Sequence, residues 1–297
     1  MSYPILDANI GLLCSLRADF PGFQQPRVVK ASDDLCVRLS EPQDDPLFYE
    51  VIQLRKGVPV FWEDHMRRLG GSLEAAADFE VDFEALRLAV IDLLDQSGVC
   101  FGNLKIVLTK AVQLIHFSET YYPTTEQFMS GVPTGILHWE RVNPNVKQIF
   151  ADYKTAVAEG FARSGPHGPF YELLLEDREG LLTEGSRSNL FFTKGDVVLG
   201  APEDRILKGI TRKYVLEAIA EAGAGLSERC LTFDEIKAGE VDGAFLTASP
   251  IDVLPIRTIE SFELPSASNQ FLRKVQNAYQ AQIQRDVEAA RHLFERG

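Results

Sequence analysis

Leu181-Leu182-Thr183-Glu184-Gly185-Ser186-Arg187-Ser188-Asn189-Leu190-Phe191-Phe192, followed after a short interval by Leu207-Lys208-Gly209-Ile210-Thr211-Arg212, is the stretch on which the reading of this chain turns. It sets one acid in a Gly/Ser-rich turn between two apolar runs, then a Gly-Ile-Thr that opens a strongly periodic helix. From Thr211 the apolar residues Tyr214, Ala218, Ile219 and Ala222 recur at helical spacing and the run stops at Gly223, so Thr211 lies near a helix N-terminus. There the N–H groups without an intrahelical partner and the positive end of the helix dipole face outward, an arrangement suited to a phosphate. A lone threonine at such a place is more often a simple helix cap; the motif beside it is what overturns that reading.

Thr-Glu-Gly-Ser-Arg-Ser-Asn-Leu-Phe followed by Leu-x-Gly-Ile-Thr-Arg resembles the signature of the class IV aminotransferases, the pyridoxal-phosphate (PLP) enzymes of fold type IV. That family includes branched-chain and D-amino-acid aminotransferases and aminodeoxychorismate lyase. Two further blocks extend the resemblance. His65-Met66-Arg67-Arg68-Leu69 is similar to a helix of the family whose arginine binds the cofactor phosphate. Phe245-Leu246-Thr247-Ala248-Ser249 is similar to a later strand and turn that closes on the same phosphate. Four blocks in order are far more specific than any one.

The resemblance implies a role for each matched residue. A lysine carries the cofactor as a Schiff base and then moves a proton between the substrate Cα and C4′ as general base and acid. Two lysines compete for this place, Lys147 in Asn143-Pro144-Asn145-Val146-Lys147 and Lys154 in Asp152-Tyr153-Lys154. In the family the lysine ends an extended segment, and a helix then leads to a glycine. Lys147 is favoured, because Phe150 to Arg163 supplies that helix before Gly165, whereas Lys154 would lie inside it. Glu184 matches the carboxylate that faces the pyridine nitrogen and keeps it protonated, so that the ring can act as an electron sink. The phosphate partners implied are Arg68, the backbone N–H groups of Ile210 and Thr211, the Thr211 hydroxyl and Ser249. Charge-assisted hydrogen bonds of this kind contribute roughly 1.5–3 kcal/mol each.

Composition bounds the alternatives. The 297 residues, 45% hydrophobic and 25% charged, suffice for two domains with cores of their own. A net charge of −13 argues against nucleic acid or an anionic membrane as partner. The apolar runs are strand-sized, so no membrane span is expected, and a cytoplasmic location is. Cys14, Cys36, Cys100 and Cys230 form no Cys-x-x-Cys pair and the five histidines show no ligand spacing, so reduced thiols and no metal site are expected.

The fold class expected is α/β (α+β), a two-domain PLP fold type IV. Periodicity predicts strands at Val51 to Leu54, Val58 to Phe61, Leu104 to Thr109 and Gly135 to Trp139, with helices at Glu63 to Ala77 and Phe83 to Gln96. These make a small N-terminal α/β domain, 1–140, ending where Pro123, Pro133 and Pro144 mark a linker. The larger cofactor-binding domain, 141–297, is β-rich with helices. Its strands are Tyr171 to Glu176, Leu190 to Thr193, Val197 to Leu199 and Gly243 to Thr247, with a hairpin at Lys194-Gly195-Asp196. A final helix, Ala267 to Glu295, carries an apolar stripe suited to core or dimer packing. A homodimer is implied by resemblance alone.

The residues that would choose the substrate depart from the family pattern. Gln53 stands where an arginine is common, and Thr109-Lys110-Ala111 leads to Ile115-His116-Phe117 without the Arg-x-His pair that holds the substrate carboxylate in D-amino-acid aminotransferases. Lys110, His116 or Arg55 could replace it. Neither the amino acid nor its L or D hand is readable. The leading expectation is transamination between an amino acid and a 2-oxo acid by a ping-pong route; an aminodeoxychorismate-type PLP lyase and a non-catalytic PLP-fold protein stay open beside it.

Overall fold

The computed structural model describes residues 13–18, 24–30, 48–118, 122–140 and 151–295. They divide into two compact units, Met1–Tyr121 with Ile283–Gly297, and Tyr122–Gln282.

The first unit is an antiparallel sheet of six strands, β1 (Leu13–Ala18), β2 (Arg27–Lys30), β3 (Phe48–Arg55), β4 (Val58–Pro59), β5 (Phe101–Leu108) and β6 (Val112–Ser118), in the order β2-β1-β6-β5-β3-β4. Helices α1 (Trp62–Ala76) and α2 (Phe83–Ser97) belong to it. The expected strand through Phe61 is cut short: β4 stops at Pro59, and Phe61 turns left-handed, φ 54°, to start α1. Its N–H donates to Asp286 Oδ2 at 2.7 Å, so a side chain from the C-terminal segment of this unit substitutes for the ladder. Helix α2 is delimited by its caps. The Asp82 carboxylate accepts from the Glu84 and Ala85 N–H groups, and Gly98 takes the left-handed C-terminal position at φ 68°.

The second unit is built on ten strands. They follow in chain order as β7 (Val132–His138), β10 (Glu172–Glu176), β11 (Leu181–Gly185), β12 (Asn189–Lys194), β13 (Val197–Gly200), β14 (Gly225–Glu228), β15 (Leu231–Thr232), β16 (Gly243–Ala248), β17 (Asp252–Ile259) and β18 (Phe262–Glu263), with a small separate hairpin, β8 (Ser164–Gly165) and β9 (Gly168–Pro169), between β7 and β10. The sheet runs β14-β13-β12-β16-β17-β7-β10-β11-β15, and β18 pairs with β17. Strand β11 also pairs with β12, so β12, β16, β17, β7, β10 and β11 close into a ring. The closing contact is Glu184 opposite Asn189.

Both faces of β12 are buried. Leu190 and Phe192 join a core with Leu174, Leu182, Leu246 and Leu254, while Phe191 stacks on Phe245 at 5.2 Å between ring centroids. Each such buried side chain contributes about 1.5–3 kcal/mol. The helices of this unit are α3 (Thr125–Ser130), α4 (Ala151–Phe161), α5 (Ile210–Glu221) and α6 (Phe233–Lys237). The last helix, α7 (Gln270–Phe294), follows a 3-10 turn at Ser266–Ser268. Up to Gln282 it counts with this unit, where Gln276 and Gln280 donate to Val253 O and Asp252 Oδ2. Among the described residues no helix is long and apolar enough to cross a membrane.

Candidate active site

Glu184 sits near the end of β11, on the strand rather than in the turn, and is 2% exposed. Its Oε2 accepts from the Leu207 N–H at 3.2 Å and from the Asn189 side-chain amide at 3.4 Å. The same Asn189 nitrogen donates to Leu207 O at 2.9 Å, which ties the ring-closing pair to the segment that runs into α5. A buried carboxylate is costly unless hydrogen-bonded, so these donors are what allow an acid here.

Leu207 is three residues before Ile210, the first residue of α5. Three residues span at most about 11 Å, so the chain that holds Glu184 delivers a helix N-terminus close to it. Gly209 precedes the helix with extended backbone and provides no side-chain cap, and the first turn carries no acid. The leading N–H groups are therefore not covered by a capping side chain, and the dipole there favours an anion. Thr211 is 3% exposed, and its Oγ1 lies 3.4 Å from the Ser249 hydroxyl, just past β16. Arg212 anchors the turn beside them, with its guanidinium over the Phe191 ring and bonded to Glu203. Glycine at 209 is required by space: a Cβ there would stand 2.6 Å from Asn189 Oδ1.

Arg68 is in the first unit, on α1. Glu50 of β3 grips it with both oxygens, accepting from Nε at 2.8 Å and Nη2 at 2.5 Å, and also bonds His65 Nδ1 at 2.7 Å. Burial alone would push the Glu50 carboxyl up; hydrogen bonds and charge from His65 and Arg68 outweigh it and hold the group well below the usual carboxylate range. The Arg68 side chain keeps 22% exposure, and Glu50 leaves its Nη1 unclaimed.

The second unit thus brings together Glu184, Ile210, Thr211 and Ser249, and Arg68 is held in the first. Lys147 lies outside the described residues. Lys154 is exposed on α4, one residue after Tyr153, whose buried hydroxyl donates to the Ser186 carbonyl at 2.8 Å. Sequence reasoning missed Asn189 and the Leu207 N–H as holders of Glu184, and Glu50 as the holder of Arg68. A signal existed for Glu50, an acid inside the strand-forming run Phe48-Tyr49-Glu50-Val51-Ile52. Backbone donors such as Leu207 leave no trace in side-chain identity.

This donor set fits PLP. Uncapped helix N–H groups and two hydroxyls suit a phosphate, and a buried, hydrogen-bonded carboxylate suits a protonated ring nitrogen. Among the described residues no group of three or more His, Cys, Asp or Glu is placed to hold a metal ion.

Comparison with known proteins gives the same direction. The chain is 26% identical over 254 residues to the D-alanine aminotransferase of Bacillus licheniformis, covering 79% of this chain and 87% of that one. It is 22% identical over 263 residues to the aminodeoxychorismate lyase of Bacillus subtilis, covering 79% and 85%. The branched-chain aminotransferase of the thermophilic archaeon Thermoproteus uzoniensis, solved with norvaline, superposes with a TM-score of 0.71 at 21% identity over 94% of this chain and 98% of that one. That likeness places the fold in type IV. The model of the family described as Amino-transferase class IV matches residues 47–259, well over half of the sequence, and the chain belongs to that family.

Proposed function

We propose that this protein is a PLP-dependent aminotransferase that moves an amino group between an amino acid and a 2-oxo acid by a ping-pong route. The observation that carries the proposal is the coupling of Glu184, through Leu207, to the uncapped N-terminus of α5 where Thr211 and Ser249 meet. When bound, PLP supplies an electron sink for the charge that develops at the substrate α carbon.

The chain's own residues do the rest. Glu184 keeps a proton on the ring nitrogen, and its donors from Asn189 and Leu207 hold the carboxylate in place for that task. The Ile210 and Thr211 N–H groups and the Thr211 and Ser249 hydroxyls bind the phosphate; Arg68, which Glu50 grips through Nε and Nη2 while leaving Nη1 unclaimed, is its further partner by resemblance. Several bonds of about 1.5–3 kcal/mol each would hold the phosphate independently of Lys147. Lys147 takes a proton from the substrate α carbon and returns it at the other carbon of the transfer. A cytoplasmic homodimer belongs to the same proposal.

Resemblance to the Bacillus subtilis aminodeoxychorismate lyase favours a PLP lyase as the second reading. Absorption spectra of purified protein with PLP, then with L- and D-amino acids, separate the two. A donor that alone bleaches the cofactor band supports the aminotransferase; pyruvate released without a second acceptor supports the lyase. No spectral uptake of PLP at all overturns both.

A further inference from the structure

A second buried acid, Glu172 at the start of β10, holds the turn that follows Glu184. It is 2% exposed and accepts from three donors: Ser186 Oγ at 2.5 Å, Ser188 Oγ at 2.9 Å and the Leu173 N–H at 2.8 Å. The Arg187 guanidinium stands 3.9 Å away. Residues 186–188 join β11 to β12, and this link is short: the Gly185 N–H donates to Ser188 O at 2.7 Å. One further backbone bond, from the Ser186 N–H to Leu173 O at 2.8 Å, ties the turn to β10, and the Glu172 side chain adds its bonds to Ser186 and Ser188 on top of it.

The packing shows how tightly this is done. A Cβ on Gly185 would stand 2.1 Å from Ser188 Oγ and 3.1 Å from Glu172 Cγ. The Glu172–Ser188 contact therefore lies directly on the residue after Glu184. On the far side of the turn, Asn189 both closes the ring opposite Glu184 and donates to its carboxylate. Glu184 and Asn189 face each other only if the turn keeps its shape, and Glu172 bonds two of the three residues between Gly185 and Asn189. Core packing alone gives no reason for an acid here. Leu173, Leu174 and Leu175 follow it in the strand, and an apolar side chain would avoid the desolvation cost.

We infer that Glu172 is a positioning residue: through Ser186 and Ser188 it fixes the turn that sets Glu184 against Asn189, and so sets the carboxylate that faces the cofactor ring. This rests on the proposed role of Glu184. A displacement on the order of 1 Å at a reacting group costs up to about 100-fold in rate.

The test compares wild type with Glu184→Gln, Glu172→Gln and the double variant Ser186→Ala with Ser188→Ala. It records PLP uptake, the absorption of the bound cofactor against pH, kcat and KM separately, and melting of the cofactor-free protein. The expected result for Glu172→Gln is a spectral pH midpoint moved in the same direction as in Glu184→Gln, and kcat lowered roughly 10–100-fold with KM nearly constant. The double serine variant reports the same change by another route, which covers a Glu172→Gln protein that does not fold. A wild-type spectral midpoint and kcat in whichever of these variants folds, even with lowered melting, would reduce Glu172 to a structural role and overturn the inference while leaving the proposed function intact. Wild-type protein that takes up no PLP would overturn the proposed function itself, and this inference with it.

Discussion

Removing the Glu50 carboxylate should loosen the first unit by an amount the geometry sets. Three hydrogen bonds converge on it, from His65 Nδ1 at 2.7 Å, Arg68 Nε at 2.8 Å and Arg68 Nη2 at 2.5 Å. Breaking one side of a buried ion pair costs about 3–5 kcal/mol. Arg68 retains 22% exposure and can recover water, whereas His65, 2% exposed, cannot. Glu50→Ala is therefore expected near the lower end, about 3 kcal/mol, and Glu50→Gln, which keeps an acceptor, at about half of that. The chain has two tryptophans, so a Trp139→Phe background leaves Trp62, buried against the Phe294 ring at 5.3 Å, as reporter of this unit during urea unfolding. The pH dependence follows from the depressed Glu50 pKa. A folded-state value below the unfolded value of about 4.5 gives stability that is complete above that pH and lost as pH falls toward the folded value. The margin of wild type over Glu50→Gln should hold from neutral pH down to about 4.5 and shrink below that. A loss under about 1 kcal/mol in Glu50→Ala, or a margin that stays constant down to about pH 3, would refute the reasoning.

Borohydride reduction followed by peptide mapping should place the cofactor on Lys147; Lys147→Ala should lose the label and Lys154→Ala keep it, and the reverse pattern would transfer the role to Lys154. Gly209→Ala drives a Cβ to 2.6 Å from Asn189 Oδ1 and must displace that amide from Glu184. Its expected effect is PLP affinity about tenfold weaker, or about 1.4 kcal/mol, in a titration of cofactor-free protein; unchanged affinity would show that Asn189 can give way at no cost. Thr211→Val and Ser249→Ala should each weaken PLP about tenfold. Because their hydroxyls are 3.4 Å apart and address one group, the double variant should fall short of the hundredfold sum, and full additivity would separate them into independent sites.

What is legible in the sequence, and what is not, divides along physical lines. The helix from Ile210 to Glu221 can be read to within a residue or two, because its apolar period and its stop at Gly223, φ 89°, are both local. The hairpin at Gly195 is local too, with φ 58° in the turn and Lys194 paired to Val197. Strands β6, β11 and β17 escape a reading by pattern. Nearly all their residues are buried, so the alternation that marks a half-exposed strand is missing, and β17 contains Pro255 as well. The sequence puts Glu184 in a turn because glycine and serine follow it; the ring closure that makes it a strand residue pairs it with Asn189 through a turn whose shape depends on Glu172, outside the motif. The same limit governs the chemistry. A motif names residues that would touch a cofactor, and says nothing of the acids that aim them, because Glu50 and Glu172 act across strands and helices that only the fold brings within 3 Å. Replacing either carboxylate leaves every motif residue intact and still removes the bonds that hold one of them in place.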